Sequence, residues 1–215
     1  MRHRTALTPD LLLQAYRMGI FPMSESRDDP EVFWVDPKRR GILPLDGFHV
    51  SRSLGRTLRR NRFQLTADVD FHGVVAGCAD RETTWINDTI FALYEALHFA
   101  GHAHSVEVWD GKALVGGVYG VAIGGAFFGE SMFSTATDAS KVALAGLIDR
   151  LHLRRYTLFD TQFITEHLRS LGGIEIPRDT YHARLAQALK IRTDFGAPGP
   201  LPATYEIWQR STQTS

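Results

Sequence analysis

Residues 104–133, HSVEVWDGKALVGGVYGVAIGGAFFGESMF, contain three apolar segments separated by two glycine turns. The first segment alternates between polar and apolar residues, Asp110-Gly111 is a strong hairpin signal, and Gly124-Gly125 marks a second turn. The stretch therefore predicts three strands in antiparallel meander order, the last of them AFFGESMF.

The segments around this meander carry helix signals. Thr8 and Pro9 before LLLQAYRMG predict a capped helix that stops at Gly19. We also expect helices in HVSRSLGRTLRRNRF, in residues 85–100, in DASKVALAGLIDRLHL capped by Thr137 or Asp138, in EHLRSLG ended by Gly172-Gly173, and near 179–190. YTLFDTQF predicts a further strand, and a proline-containing tail follows the last helix. The buried stripe of 85–100 is expected to contain Ile90, Leu93, Tyr94, Leu97 and Phe99.

The order of these elements predicts an α+β or mixed α/β fold. The segment between Gly19 and the first arginine-rich helix contains many prolines and charges, and it predicts an irregular connection. We therefore expect a small N-terminal domain over residues 1–40 and a main domain with the C-terminal tail over residues 41–215.

Composition excludes several classes of protein. The 215 residues include 24 basic and 24 acidic side chains, so a globally basic polyanion binder is excluded. Cys78 is the only cysteine, which excludes an internal disulfide and a cysteine-based metal site and favours a reducing compartment. Without a long apolar run or a signal peptide, we expect a cytoplasmic protein with no membrane partner.

Basic charge is concentrated in residues 38–62, where eight of the 24 basic residues face a single acidic one, Asp46. Helical spacing puts four of them on one face: Arg52, Arg56, Arg59 and Arg60. A solvated helix face is the alternative, but such faces normally mix both signs. We interpret this face as a contact surface for a phosphate backbone.

Three polar residues interrupt apolar strands. Asp160 and Gln162 are two positions apart in LFDTQF, so a regular strand would point both to one face, and Glu130 interrupts AFFGESMF. Each alone is equally well explained as a structural polar residue at a strand end. Together they predict a cleft lined by hydrogen-bond acceptors.

Other motifs give weaker signals. The glycines of GGVYGVAIGG match neither a P-loop nor a dinucleotide fingerprint, and sheet bends explain them better. His98, His102 and His104 lack the spacing of a metal-binding helix, so structural or solvated histidines are favoured and no metal is expected.

The chain resembles the bacterial leucyl/phenylalanyl-tRNA–protein transferases, which are aminoacyltransferases. The matching stretches run in order through most of residues 11–181, and they include LLLQAYRMGIFP, HVSRSLGRTLRR, CADRETTWI, GHAHSVEVW, GESMF, DASKVAL, DTQ and EHLRSLGGIEIPRDTY. The resemblance implies a GNAT-like acyltransferase domain behind a small N-terminal domain. The R-x-x-G-x-G/A loop of coenzyme A users is not found near Asp138, and no cofactor is expected.

This resemblance implies a function in the N-end rule pathway. The enzyme would transfer Leu or Phe, and less well Met, from aminoacyl-tRNA to an N-terminal Arg or Lys of a protein. That product would be recognised for N-degron degradation. Nothing in the sequence requires more than a monomer.

The resemblance also assigns residues to roles. Asp160 and Gln162 match the central catalytic pair, with Glu130 beside them. The aminoacyl pocket maps onto Val118, Phe127, Met132, Leu147, Leu151 and Phe159. Trp85 matches one adenosine-stacking tryptophan, Met23 stands where the family has another, and Trp34 is a candidate to compensate. Arg52, Arg56, Arg59 and Arg60 match the tRNA-binding face.

The transfer reaction needs little chemical activation by the protein, because the donor ester is already activated. The acceptor α-amine has an ordinary pKa of about 7.7–8.0, so part of it is neutral near pH 7. Positioning is therefore favoured over general-base catalysis, and Glu130 with Asp160 is expected to form an anionic cleft for the cationic acceptor.

Two other functions stay open from the residues alone. One is a GNAT-type, acetyl-CoA-dependent N-acetyltransferase for small molecules. The absent pyrophosphate loop and the basic helix argue against that activity. The other is a non-enzymatic tRNA-binding module, for which Glu130, Asp160 and Gln162 would have no use.

Overall fold

The computed structural model describes residues 7–23, 33–81, 84 and 86–213. Within this part of the chain the helices are α1 (Pro9–Arg17), α2 (Arg52–Arg59), α3 (Phe71–Ala79), α4 (Asp88–Phe99), α5 (Ala139–Leu153), α6 (Glu166–Ser170), α7 (Arg178–Ala188) and α8 (Thr204–Gln213). The strands are β1 (Phe21–Met23), β2 (Phe33–Val35), β3 (Arg39–Ile42), β4 (Gln64–Ala67), β5 (Ala103–Asp110), β6 (Ala113–Ile123), β7 (Ala126–Ser134), β8 (Leu158–Gln162), β9 (Ile174–Pro177) and β10 (Gly199–Pro200).

Eight strands form one mixed sheet in the order β10-β4-β5-β6-β7-β8-β3-β9. The predicted meander is confirmed as β5–β6–β7, and Gly111 at its first turn has a φ of 64°. Helix α5 then crosses over so that β8 pairs parallel to β7. The predicted mixed α/β class is therefore confirmed.

Helices cover both faces of this sheet. On one face, α2, α5 and α8 pack over a core that contains Val118, Phe127 and Phe159. On the other face, α1, α3, α4 and α7 pack over a core that contains Tyr119 and Phe128. Consecutive residues of β6 and β7 thus contribute to opposite cores, as the twofold repeat of a strand requires.

Most predicted helices are confirmed, with local differences. Thr8 caps α1 and Ser51 caps α2 through their side chains. Asp138 is the N-cap residue of α5, but its carboxylate bonds Thr57 and Lys141 and does not cap the helix. Phe99 was wrongly placed in the buried stripe of α4, because it is 86% exposed at the helix end.

Several segments contain more regular structure than the sequence predicted, among them β4, α3 and β9, where no element was expected. Part of the expected irregular connection forms β1, β2 and β3, and part of the expected tail forms α8. The hydrogen-bond partners of β3 are β8 and β9, more than a hundred residues away, so no local pattern reveals it. The proposed domain boundary between residues 40 and 41 falls inside β3 and stays a prediction.

No helix formed by the described residues has both the length and the apolar character needed to cross a bilayer.

Candidate active site

A β-bulge in β7 places Glu130. Gly120 of β6 pairs with Gly129, whereas Tyr119 pairs with Ser131, so Glu130 is an extra residue without a partner across the ladder. A Cβ atom on Gly120 would lie 2.2 Å from the Phe128 carbonyl oxygen. The close approach at this pair therefore requires glycine, and the bulge turns the Glu130 side chain towards α1 and α4.

Neutral donors surround the Glu130 carboxylate. Tyr16 Oη of α1 donates to Oε1 at 2.6 Å, and Tyr94 Oη of α4 donates to Oε2 at 2.7 Å. Gln162 Nε2 donates to Oε1 at 3.2 Å. The two tyrosine hydroxyls are 2.8 Å apart, so they form one connected network with the carboxylate.

This environment makes Glu130 titratable near neutral pH. Burial raises the pKa of its carboxyl to about 7, the three hydrogen bonds oppose that shift, and the charge of Asp160 adds to it. Both the protonated and the ionised forms of Glu130 are therefore populated at pH 7.

Asp160 on β8 has a different environment, since it is fully buried against a guanidinium. Arg40 donates from Nε to Oδ1 at 2.9 Å and from Nη2 to Oδ2 at 2.6 Å. Tyr181 Oη donates to Oδ2 at 2.6 Å. Arg40 in turn bonds the Gly19 carbonyl oxygen at 2.9 Å and lies 4.4 Å from the ring centroids of Phe21 and Tyr181.

Two expectations need correction here. Arg40 was counted with the basic surface segment, but it is 1% exposed and belongs to the interior. Asp160 was expected to share an anionic cleft with Glu130, but Arg40 compensates its charge and it is 0% exposed. Asp160 can therefore position its neighbours, whereas direct contact with a cationic acceptor is excluded in this conformation.

Gln162 links the two carboxylates. Its backbone N–H donates to Asp160 Oδ1 at 2.8 Å, while its side chain reaches Glu130. Its φ of 63° lies in the left-handed region, which is uncommon for a residue other than glycine. The structure thus brings the three predicted catalytic residues together, although through a backbone turn and not through a regular strand face.

The site lies at the end of the parallel ladder. Pairing of β7 with β8 ends at Phe128 and Asp160. Glu130 and Gln162 follow two residues further along their strands and join them only through side chains. Strand ends beyond a crossover are common ligand sites in α/β sheets.

The six residues expected to form the aminoacyl pocket all belong to the core on the α5 side. Met132 is partly exposed, and the other five are at most 3% exposed. The Phe127 and Phe159 rings meet edge to face with centroids 5.6 Å apart. The residues are brought together, and their role in binding a side chain stays a prediction.

The described residues do not bring the three expected adenosine contacts together. Trp85 lies outside the described residues. Met23 pairs with Phe33, and Trp34 pairs with Pro22 one row further along the β1–β2 ribbon. Adjacent rows project to opposite faces of a ribbon, so the register does not bring Trp34 beside Met23 to compensate for it.

The predicted arginine face is exposed on α2. Arg52, Arg56, Arg59 and Arg60 are all exposed, and within the described part of the chain none of them forms an ion pair. Three of them, Arg52, Arg56 and Arg59, line a depression of about 400 Å³. Arg62 at the end of the segment is paired with Asp110.

Two of the three clustered histidines, His98 and His104, have structural contacts. His98 stacks on Phe71 with centroids 4.3 Å apart, and His104 contacts Asp68 at 2.7 Å. No group of three or more His, Cys, Asp or Glu side chains among the described residues is arranged to hold a metal ion.

Sequence reasoning missed four residues of this site: Tyr16, Arg40, Tyr94 as a functional residue, and Tyr181. Tyr16 and Tyr94 occupy the buried stripes of α1 and α4, where a phenol needs an internal acceptor. A tyrosine within an apolar stripe was therefore an available signal. Arg40 gave none, since it follows two other basic residues.

Comparison with known proteins assigns this fold and site to a class of transferases. The family model described as leucyl/phenylalanyl-tRNA protein transferase matches residues 42–186, and its N-terminal domain model matches residues 5–38. The chain belongs to the leucyl/phenylalanyl-tRNA–protein transferase family.

The similarity extends along the whole chain. A leucyl/phenylalanyl-tRNA–protein transferase from Cereibacter sphaeroides (strain ATCC 17025) is 65% identical over 98% of both chains. One from a Ruegeria species is 64% identical over 97% of this chain and 99% of its own. Among solved structures, L-PGS from Bacillus licheniformis gives a TM-score of 0.41 at 12% identity, covering 75% of this chain and 55% of its own.

Proposed function

We propose that this chain transfers Leu or Phe, and less efficiently Met, from aminoacyl-tRNA to the N-terminal Arg or Lys of acceptor proteins. The new peptide bond marks the acceptor for N-degron proteolysis in the cytoplasm. Relatives that carry the transferase name are 58–65% identical over nearly the whole chain, which supports this reaction over acetyl transfer.

The observation that carries the mechanism is the hydrogen bond between Gln162 and Glu130 across the open end of the β7–β8 ladder. The acceptor α-ammonium must lose a proton before its nitrogen can attack the ester carbonyl carbon. Because the pKa of Glu130 is about 7, its carboxylate can take that proton near neutral pH. Proton acceptance by Glu130 thus joins positioning as a catalytic contribution.

The remaining steps balance without a cofactor. The amine nitrogen forms the new bond to the carbonyl carbon, and the bond from that carbon to the ribose oxygen breaks. The attacking nitrogen then loses its second proton, which the neighbouring ribose hydroxyl relays to the leaving oxygen, and Glu130 releases the first proton to solvent. Gln162, with its backbone fixed on Asp160, hydrogen-bonds the amine and aligns it with the ester, and such alignment contributes up to about 7–11 kcal/mol in favourable cases.

A labelled-transfer assay tests the proposal. Purified protein is incubated with an Arg-starting peptide and either [14C]Leu-tRNA or [14C]acetyl-CoA. Label is expected on the peptide only from Leu-tRNA, and Gln162→Ala is expected to lose transfer while retaining tRNA binding. Label from acetyl-CoA, or full activity in Gln162→Ala, would contradict the proposal.

The apolar cluster gives a second readout. The predicted aminoacyl pocket, which includes Phe127, Met132 and Phe159, is proposed to suit unbranched and γ-branched side chains, so Val- and Ile-charged tRNA are expected to react poorly. Phe127→Ala is expected to reduce that discrimination by about 1–3 kcal/mol. Equal rates with Leu- and Val-charged tRNA would contradict this assignment.

A further inference from the structure

A depression between α2 and α8 has a lining with a strong positive charge. Its volume is about 400 Å³, in the lower part of the range for ligand pockets. Arg52, Arg56 and Arg59 of α2 line one wall, and Trp208 of α8 lines the opposite one with Ser211 and Thr212. No carboxylate is among the lining residues of this described depression. A pocket with this lining favours an anion over any other ligand.

Helix α8 is firmly attached to α2. Thr204 Oγ1 donates to the Leu58 carbonyl oxygen at 2.7 Å, and Thr204 N donates to Asn61 Oδ1 at 3.1 Å. Arg210 forms a two-fold hydrogen bond to Asp149 of α5 at 2.6 and 2.8 Å. The second wall of the depression is therefore part of the folded domain, although it lies beyond the residues that the family models match.

Trp208 holds one of the arginines in place. The Arg59 guanidinium lies 5.1 Å from the centroid of the Trp208 ring, and its Nε donates to the Gly55 carbonyl oxygen at 3.2 Å. Gly55 makes this approach possible, because a Cβ at that position would lie 3.3 Å from Trp208 Nε1. Arg59 is thus the one arginine of this wall whose guanidinium is fixed between a ring and a carbonyl.

We propose that Trp208 of α8 positions Arg59 for contact with a phosphodiester of the tRNA backbone, so that the C-terminal helix supports the arginine face that the family resemblance already assigns to tRNA. This inference rests on the proposed function in taking tRNA as the polyanion. A guanidinium supported on an aromatic face keeps its N–H groups directed to one side, and it loses less conformational entropy on binding phosphate than a free arginine. The C-terminal helix then contributes to tRNA affinity and leaves the chemical step unchanged.

Binding of uncharged tRNA, measured by fluorescence anisotropy at several salt concentrations, tests this without requiring transfer. Trp208→Ala is expected to raise Kd by about two- to fivefold, and Trp208→Phe to retain most of the affinity. The salt slope of Trp208→Ala should become shallower by up to about 0.7–0.9, as for one lost phosphate contact. Tyr205→Ala on the same helix is the matched control, since Tyr205 is 42% exposed and does not line the depression.

A double-mutant cycle separates positioning from independent binding. If Trp208 acts through Arg59, the combined loss in Trp208→Ala with Arg59→Ala is smaller than the sum of the two single losses. Additive losses, or an affinity loss with unchanged salt slope, would overturn the positioning role. In transfer assays the KM for Leu-tRNA should rise while kcat stays unchanged.

Two further results keep the proposal testable. Gly55→Ala improves the helix propensity of α2 yet pushes on Trp208, so it should weaken tRNA binding about twofold even if Trp208→Ala fails to fold. Unchanged affinity in Gly55→Ala, together with an affinity of Trp208→Ala equal to that of Tyr205→Ala, would overturn it. Loss of binding to phosphatidylglycerol vesicles in the same variants, with tRNA binding intact, would assign the depression to a lipid and also overturn it.

Discussion

The two buried carboxylates of the site, Asp160 and Glu130, differ in what balances their charge. Asp160 has a guanidinium, a phenol and a backbone N–H, so every bond it accepts comes from a fixed interior donor. Glu130 has two phenols and an amide but no cationic partner among the residues that the structure describes, and its pKa lies near 7. The same residue chemistry therefore serves two purposes: Asp160 fixes geometry, and Glu130 remains able to exchange a proton.

The largest expected difference between them is in stability. Arg40→Met leaves the Asp160 charge buried without a cation, and loss of one partner of a buried ion pair typically costs about 3–5 kcal/mol. Glu130→Gln removes no paired charge and is expected to cost less than about 1 kcal/mol at pH 7.5. Urea unfolding of both variants at that pH checks the difference, and equal losses would show that the two sites are not distinct.

Glu130→Gln, which is expected to have the smaller effect on stability, is expected to have a large effect on transfer activity. Glu130→Gln keeps the shape of the side chain but cannot accept a proton, so kcat with Leu-tRNA and an Arg-starting peptide should fall by about 10²-fold or more. The KM for Leu-tRNA should stay within a factor of about two. Glu166→Gln on the exposed first turn of α6 is the control. A kcat near the wild-type value in Glu130→Gln would mean that Glu130 does not accept the proton and that positioning is the only catalytic contribution.

The pH dependence of stability follows from the raised pKa of Glu130. Between the ordinary pKa of 4.5 and about 7, the folded state binds one proton more than the unfolded state, so stability falls as pH rises through this window. The loss is complete about one pH unit above this pKa, where the slope from this group vanishes. Glu130 as a whole residue is only partly buried, so we expect a loss of about 2 kcal/mol, below the full value of the shift.

Unfolding measured at pH 5 and pH 8 tests this slope. The difference in unfolding free energy between the two pH values should be smaller in Glu130→Gln than in the wild type by about 2 kcal/mol. Glu166→Gln should leave the difference unchanged. An identical pH dependence in the wild type and Glu130→Gln would show that Glu130 is ionised throughout this range.

The sequence was sufficient for those parts of the fold that short-range patterns determine. The meander follows from alternation and glycine turns, and α1 and α2 follow from their caps and apolar stripes. Strand β3 and helix α8 were not predicted, because the elements that they pair with or pack against are distant in the chain.

The three predicted catalytic residues of the candidate site could be identified from the sequence, but their supporting residues and the electrostatics of the site could not. Polar residues within apolar strands identified Glu130, Asp160 and Gln162, and the family resemblance grouped them. Their division into an ion-paired and a cation-free carboxylate depends on Arg40, which β3 inserts between β8 and β9. A basic residue in a basic segment looks like a surface residue, so the sequence predicted an exposed Arg40, whereas the structure buries it.

The smallest expected effect concerns Gln162, the residue that connects the two carboxylates. Its left-handed backbone conformation costs an ordinary residue about 1–2 kcal/mol, whereas glycine adopts it freely. Gln162→Gly and Gln162→Ala both remove the amide that bonds Glu130, so both should lose transfer to a similar degree. Gln162→Gly should nevertheless be more stable than Gln162→Ala. The difference should be only about 0.5–1 kcal/mol, because the greater conformational entropy of glycine in the unfolded chain offsets part of the relieved backbone strain. Thermal unfolding of the pair checks this difference. Equal stability, or alanine more stable than glycine, would mean that the turn between Asp160 and Glu130 is unstrained and that the site needs no backbone strain to join its two carboxylates.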